Sequence, residues 1–158
     1  MREILFRGKC TDTGSWYEGQ YIHLHKTTYC FNSDYDKHPD NDIHQIVFER
    51  MTDWGLPNQH FRADVVPETV GQFTGKIDKK GKKVFEHDIL QIFTVWADGT
   101  VEKAGIGIVQ WCEHDQCYVL ATKEAYHIDD FGNLGKPEYF EVIGNIHDNP
   151  ELLEGNEK

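Results

Sequence analysis

Apolar positions in this chain come in short runs separated by turn chemistry. Ile4, Leu5 and Phe6 open it, and Thr11–Ser15 (TDTGS) follows as a turn cluster in which Gly14 supplies positive φ. From Trp16 to His25, Ile22 and Leu24 alternate with Tyr21, His23 and His25, the period-2 pattern of a half-buried strand. Tyr29, Cys30 and Phe31 predict a third strand. Asn32–Asp42 is polar and acidic and reads as an exposed loop. Ile43–Trp54 fits two periods, a helical stripe (Ile43, Ile46, Val47, Trp54) or a buried strand (Ile46, Val47, Phe48). The short run and the turn-rich flanks favour strand, and Gly55–Leu56–Pro57–Asn58 breaks it.

Val65–Leu90 is the stretch around which the rest is arranged. Pro67 removes a donor and keeps Val66 extended, which places Val65 and Val66 at a strand edge. Thr69–Thr74 alternates, with Val70 and Gln72 on one side and Thr69 and Phe73 on the other. Gly71 and Gly75 mark places where a strand bulges or a second backbone comes close. Asp78–Lys79–Lys80–Gly81 predicts a hairpin turn, and Val84, Phe85, Ile89 and Leu90 a return strand interrupted by Glu86–His87–Asp88. Gln91–Trp96 continues as strand to the Asp98–Gly99 turn. Gly105–Trp111 and Cys117–Thr122 pair across Glu113–Gln116, Ala125–Pro137 is loop-like, and Phe140–Ile146 is the last strand. The expected fold is mainly β: a small β-barrel or sandwich of short antiparallel strands with little helix. It is read as a single domain over residues 1–158 with a soft division near 56–61. On that reading 1–60 carries N-terminal strands and variable loops, 61–150 the β-core and 151–158 a tail.

The composition adds 9 Phe, 7 Tyr and 4 Trp to this picture, favouring strands. Sixteen basic against twenty-seven acidic residues leave a net charge of −11, which opposes binding to a phosphate backbone. The N-terminus, MREILFRGK, lacks the apolar run of a secretory signal, and no stretch approaches transmembrane length. A cytoplasmic location with reduced thiols is expected.

The candidate chemistry is sparse. Cys112, His114 and Cys117 lie within six residues, with His127 ten further on, and these are the residues from which a metal site would be drawn. Zinc wants paired close spacings at both ends of its site; only one is present, and two thiols flanking a hairpin turn arise from strand pairing alone. His23 and His25 lie two apart on one strand face, with His38, His44 and Cys30 downstream. Strand alternation reads them as a polar, solvent-facing row rather than metal ligands. Glu86 and Asp88 are paired carboxylates with no nucleophile or oxyanion hole beside them, so a local role is expected, accepting backbone N–H bonds where the strand turns. No Walker, Rossmann or nucleophile-elbow motif is present, and no cofactor is expected. Trp96, Trp111 and Tyr118 offer stacking platforms, and Lys79, Lys80, Lys82 and Lys83 a basic turn, as candidate binding residues.

Three stretches together resemble the YopX family of phage- and prophage-encoded proteins: REILFRGK, VPETVGQFTGKIDKKGKKVFEHDIL and FEVIGNIHDNPELL. The resemblance spans most of the chain, while residues 17–59 read as variable. The family usually has Glu-Gly-Asp where this chain has Glu86, His87 and Asp88; if that glycine serves a positive-φ turn, His87 must tolerate it. The resemblance implies a mostly β fold in a bacterial host. It brings no established activity, so no catalytic residue is carried over.

The leading expectation is a non-enzymatic accessory protein that self-associates, as a homo-oligomer, or docks a host or phage protein. The alternative is a small nucleic-acid-binding β-barrel using Lys76–Lys83 and nearby aromatics. A metal-dependent hydrolase is a third and weaker reading.

Overall fold

The computed structural model describes residues 3–122, 129–130 and 139–153. They form β1 (Phe6–Lys9), β2 (Trp16–His25), a one-turn helix α1 (Asn32–Tyr35), β3 (Asp42–Arg50), β4 (Gln59–Asp64), β5 (Gly71–Ile77), β6 (Lys83–Phe85), β7 (Asp88–Val95), β8 (Val101–Cys112), β9 (Cys117–Thr122), β10 (Asp129–Asp130) and β11 (Phe140–Asn145). The fold is mainly β, every ladder is antiparallel, and the strands belong to two sheets. Compactness divides the chain into two units, one over Glu3–Gln72 and one from Phe73 onward.

In the first unit the strand order is β4-β3-β2-β1, and Gly71–Gln72 of β5 lie against β1. One isolated bridge, Cys10 with Val65, ties the end of β4 back to the end of β1. A lone bridge is not a ladder, so among the described residues no closed barrel forms. Ile46 is fully buried and Val65 nearly so, and they centre the core of this unit. Gly19 lies in β2 because a Cβ there would meet the Val47 carbonyl oxygen at 2.1 Å. Tyr29–Phe31 do not form the expected strand. The Tyr29 N–H donates to the Tyr35 hydroxyl at 3.0 Å, and Phe31 is exposed, so this segment spends its backbone donor on a side chain instead of a neighbouring strand. The loop after it carries α1 and a 3-10 turn, Pro39–Asn41.

In the second unit β5 continues from Phe73 to Ile77 against β6, and the remaining strands are ordered β10-β9-β8-β7-β11. The register of β5 shifts between Phe73 and Ile77, where Gly75 has φ +86°, the bulge its glycine predicts. Val84, Leu90, Val109, Leu120, Phe140 and Val142 form the core cluster. The return strand does not run through to Leu90. It ends at Phe85, and β7 starts at Asp88 in a different ladder, paired with β8 and β11. His87 makes the break. Its φ is +69°, its N–H donates to Val109 O (2.9 Å) and its carbonyl accepts from Ile146 N–H (3.0 Å). Asp88, almost fully buried, accepts the Phe85 N–H at 2.8 Å, the local role its place at the turn predicts.

Asp78 is the other buried carboxylate among the described residues of this unit. One of its oxygens accepts the Lys80 and Lys82 N–H groups (2.8 Å each), which shapes the turn closed by Gly81 at φ +82°. The other oxygen accepts the Val142 N–H of β11 at 3.0 Å. Within the loop expected over Ala125–Pro137, Asp129–Asp130 instead pair as β10 with Leu120 and Val119 of β9, while His127 and the rest of that stretch lie outside the described residues.

Two outcomes follow. Asp78→Ala leaves three backbone donors without their charged acceptor and costs about 3 kcal/mol or more in denaturant unfolding, while Asp78→Asn, which keeps one acceptor oxygen, costs less. At the turn, His87→Gly leaves stability unchanged or raises it by up to about 1 kcal/mol. His87→Val lowers it by about 2 kcal/mol, because a β-branched side chain is strained at positive φ.

Candidate functional site: an aromatic groove beside an open strand edge

Register in the first unit sets Ile46 opposite Ala63 and Phe48 opposite Phe61. Residues directly opposite share a face, so the buried Ile46–Ala63 pair continues outward into Phe48 and Phe61. Tyr17 of β2 joins them, its ring 4.8 Å from Phe48 and stacked, and Phe48 lies 5.9 Å from Phe61. The Arg50 guanidinium lies 5.8 Å from the Phe48 ring centroid and 5.4 Å from that of Phe61. These rings line a groove of about 240 Å³, with Cys10 and Thr13 of the β1–β2 turn on its other wall. Hydrogen bonds from Thr13 hold the Cys10 thiol below its ordinary pKa.

The groove borders β4, whose one strand neighbour among the described residues is β3. Just past β4, the Val65 N–H donates to His44 O on β3 (2.9 Å). Asp64 O turns the other way and accepts the Thr11 N–H (3.0 Å). Since backbone groups alternate sides along a strand, His60 and Arg62 direct their N–H and C=O away from β3. The sequence reading missed Phe48 and Phe61 as a surface pair. Phe48 sits in a run read as strand, but no strand was read at Gln59–Asp64, and the pairing that sets Phe61 against Phe48 joins segments 13 residues apart across a variable loop.

Two of the four lysines of the expected basic turn share one carboxylate. Glu141 of β11 takes Lys79 Nζ at 2.7 Å and also pairs with Lys80, and Lys79 lies 3.7 Å above the Phe93 ring centroid. Hydrogen bonds from Lys79 and then Lys80 bring the Glu141 carboxyl from 4.5 down to about 2. Lys83 lies 5.8 Å from the Phe73 ring centroid. The aromatic candidates are dispersed. Trp111 and Tyr118 are cross-strand partners in a T-shaped contact at 5.1 Å. Trp96 sits at the far hairpin and donates to Glu102 at 3.1 Å. Ten residue steps along β8 lead from Val101, beside Trp96, to Trp111, about 30 Å at strand rise, so they make no common platform.

Cys112 and Cys117 are directly opposite in β8 and β9, with Cys112 Sγ 3.4 Å from Asp115 Oδ2, and His114 is exposed on the turn. In the first unit His38 stacks on Tyr29 at 5.3 Å and Cys30 is exposed. His23, His25, Asp42 and His44, by contrast, are drawn together. They stand on the face that carries Tyr21 and the buried Ile46, while Leu24 on the opposite face is half exposed. His23 and His25 are exposed, as a solvent-facing row predicts, while His44 and Asp42 across from them are half-buried. Burial, and then the charge of His23, hold the His44 imidazole below its ordinary pKa, and His25 does the same to Asp42 by hydrogen bonding.

These features define an all-antiparallel β protein with an aromatic groove at a strand edge. Residues 5–154 match the family described as YopX protein. The chain belongs to the YopX family. Its fold is similar to that of protein EF1440 from Enterococcus faecalis, known from a crystal structure: 19% identity, TM-score 0.51, covering 97% of this chain and 99% of that one. Among curated proteins, none matches. No helix among the described residues is long and apolar enough to cross a membrane.

The Glu141 pair has a pH signature. A carboxyl whose folded pKa is depressed gives its full stabilisation above its unfolded value and loses it as pH falls through the folded one, here between 4.5 and about 2. Glu141→Gln therefore lowers the melting temperature at pH 7 by a few degrees and flattens the loss of stability across that window, as followed by thermal melts at stepped pH.

Proposed function

We propose that this chain is a non-enzymatic protein-binding module that self-assembles, or docks a host or phage protein, through the outer edge of β4. The observation that carries the reading is the open edge at His60 and Arg62 lying beside the Tyr17–Phe48–Phe61 row. An extended segment added to that edge gains main-chain hydrogen bonds, and the aromatic groove takes its alternate side chains. Rigid aromatic rings and a stacked arginine are the residue types that carry binding energy at protein interfaces. The bulk charge of −11 suits a partner with basic groups around its strand.

The nucleic-acid reading draws less support. Two of its four lysines share one carboxylate, and its aromatic platforms lie far apart. No carried-over residue points to catalysis.

Light scattering and affinity capture with mass spectrometry test the proposal. Arg62→Pro removes an outward N–H without touching the β3 ladder, and Phe61→Ser empties the row. Both variants are expected to weaken association at least tenfold while keeping the circular dichroism of the parent. A strictly monomeric parent that captures no partner would overturn the reading, as would an Arg62→Pro variant that associates like the parent.

A further inference from the structure

β2 and β3 meet in a register that places His23 opposite His44 and His25 opposite Asp42. Opposed residues share a face, and so do residues two apart, so four side chains of metal-ligand type converge on one patch. One ligand atom each from His23, Asp42 and His44 lies within 4.8 Å of the other two. His23 Nε2 is 3.6 Å from Asp42 Oδ2, close to the roughly 3.4 Å between ligands of a tetrahedral zinc with bonds of about 2.1 Å. The His23 and His44 rings stack at 4.5 Å, and rotation of the exposed His23 side chain supplies the remaining closure.

The surroundings orient these groups. His25 Nδ1 lies 2.6 Å from Asp42 Oδ1, which holds the carboxylate with its second oxygen toward His23. The Tyr21 hydroxyl lies 2.6 Å from His44 Nδ1; with Nδ1–H donating to that oxygen, Nε2 keeps the lone pair a metal would take. Hydrogen bonds of this kind, on the ring nitrogen and carboxylate oxygen that do not coordinate, characterise protein metal sites.

We propose that His23, Asp42 and His44 bind a divalent transition metal of the zinc class, with Tyr21 and His25 as positioning residues. Imidazole nitrogen with a single carboxylate oxygen selects such an ion over magnesium or calcium. Its place in the fold gives it a structural role. His25 and Asp42 flank the connection through α1, so the ion staples the strands at the two ends of that segment.

The test is calorimetric titration of Zn²⁺ into the full chain after chelator dialysis. One ion per chain is expected. His23→Asn, at a position exposed enough to leave folding intact, and His44→Gln each weaken binding at least about tenfold, and Tyr21→Phe weakens it by about tenfold. The variant carrying Cys112→Ser, Cys117→Ser and His114→Asn binds like the parent. Zn²⁺ also raises the melting temperature of the parent but not of His23→Asn. The proposal is overturned if the parent takes up no stoichiometric zinc, if His23→Asn binds as tightly as the parent, or if the cysteine variant is the one that loses the ion.

Discussion

A buried carboxylate needs hydrogen-bond donors, and Asp78 takes backbone N–H groups from two distant parts of the chain. Its side chain is almost inaccessible, and it is held by Lys80 and Lys82 N–H from its own turn and by Val142 N–H from β11. Charge-assisted bonds of this kind are about twice as strong as neutral ones, and losing any of them leaves a buried group uncompensated. The turn between β5 and β6 and the position of β11 are therefore one structural decision. The neighbouring Lys79 and Lys80 close on Glu141 of the same strand from the surface, and Val84, Phe140 and Val142 fill the core beneath.

That arrangement changes what the basic turn is for. Four lysines in five positions suggest a phosphate contact in the sequence, yet in the folded chain two of them, Lys79 and Lys80, share one carboxylate, and Lys79 also covers Phe93. Its charge serves the second unit itself. In the first unit one sheet face has two unlike ends: histidines and Asp42 at one, stacked rings and Arg50 at the other. Ile46 between them is wholly buried, so the two ends extend from a common packed centre.

Turns and several strands were legible because they depend on local chemistry, whereas β4 was not read and β8 starts earlier than expected, at Val101. Gly14, Gly81 and Gly99 adopt positive φ where the turn signals put them, β2 spans Trp16–His25 as its alternation says, and β8 and β9 pair across Glu113–Gln116. Even the substitution of His87 for a glycine marked a left-handed position correctly, since the constraint is a property of that one backbone site. The expected strand at Tyr29–Phe31 failed for an equally local reason: a tyrosine hydroxyl captured its donor, and apolar composition does not reveal that.

What the chain alone determined, then, is where backbone can turn and which residues alternate. Period 2 states that neighbours point to opposite faces, but it is silent on which face will be covered and on which residue of a remote strand will stand opposite. Tertiary structure decided those points: His23 against His44, Phe48 against Phe61, Lys79 and Lys80 on Glu141, and the parting of β6 from β7. Register is set by the fit between two surfaces, and no single segment of sequence contains both.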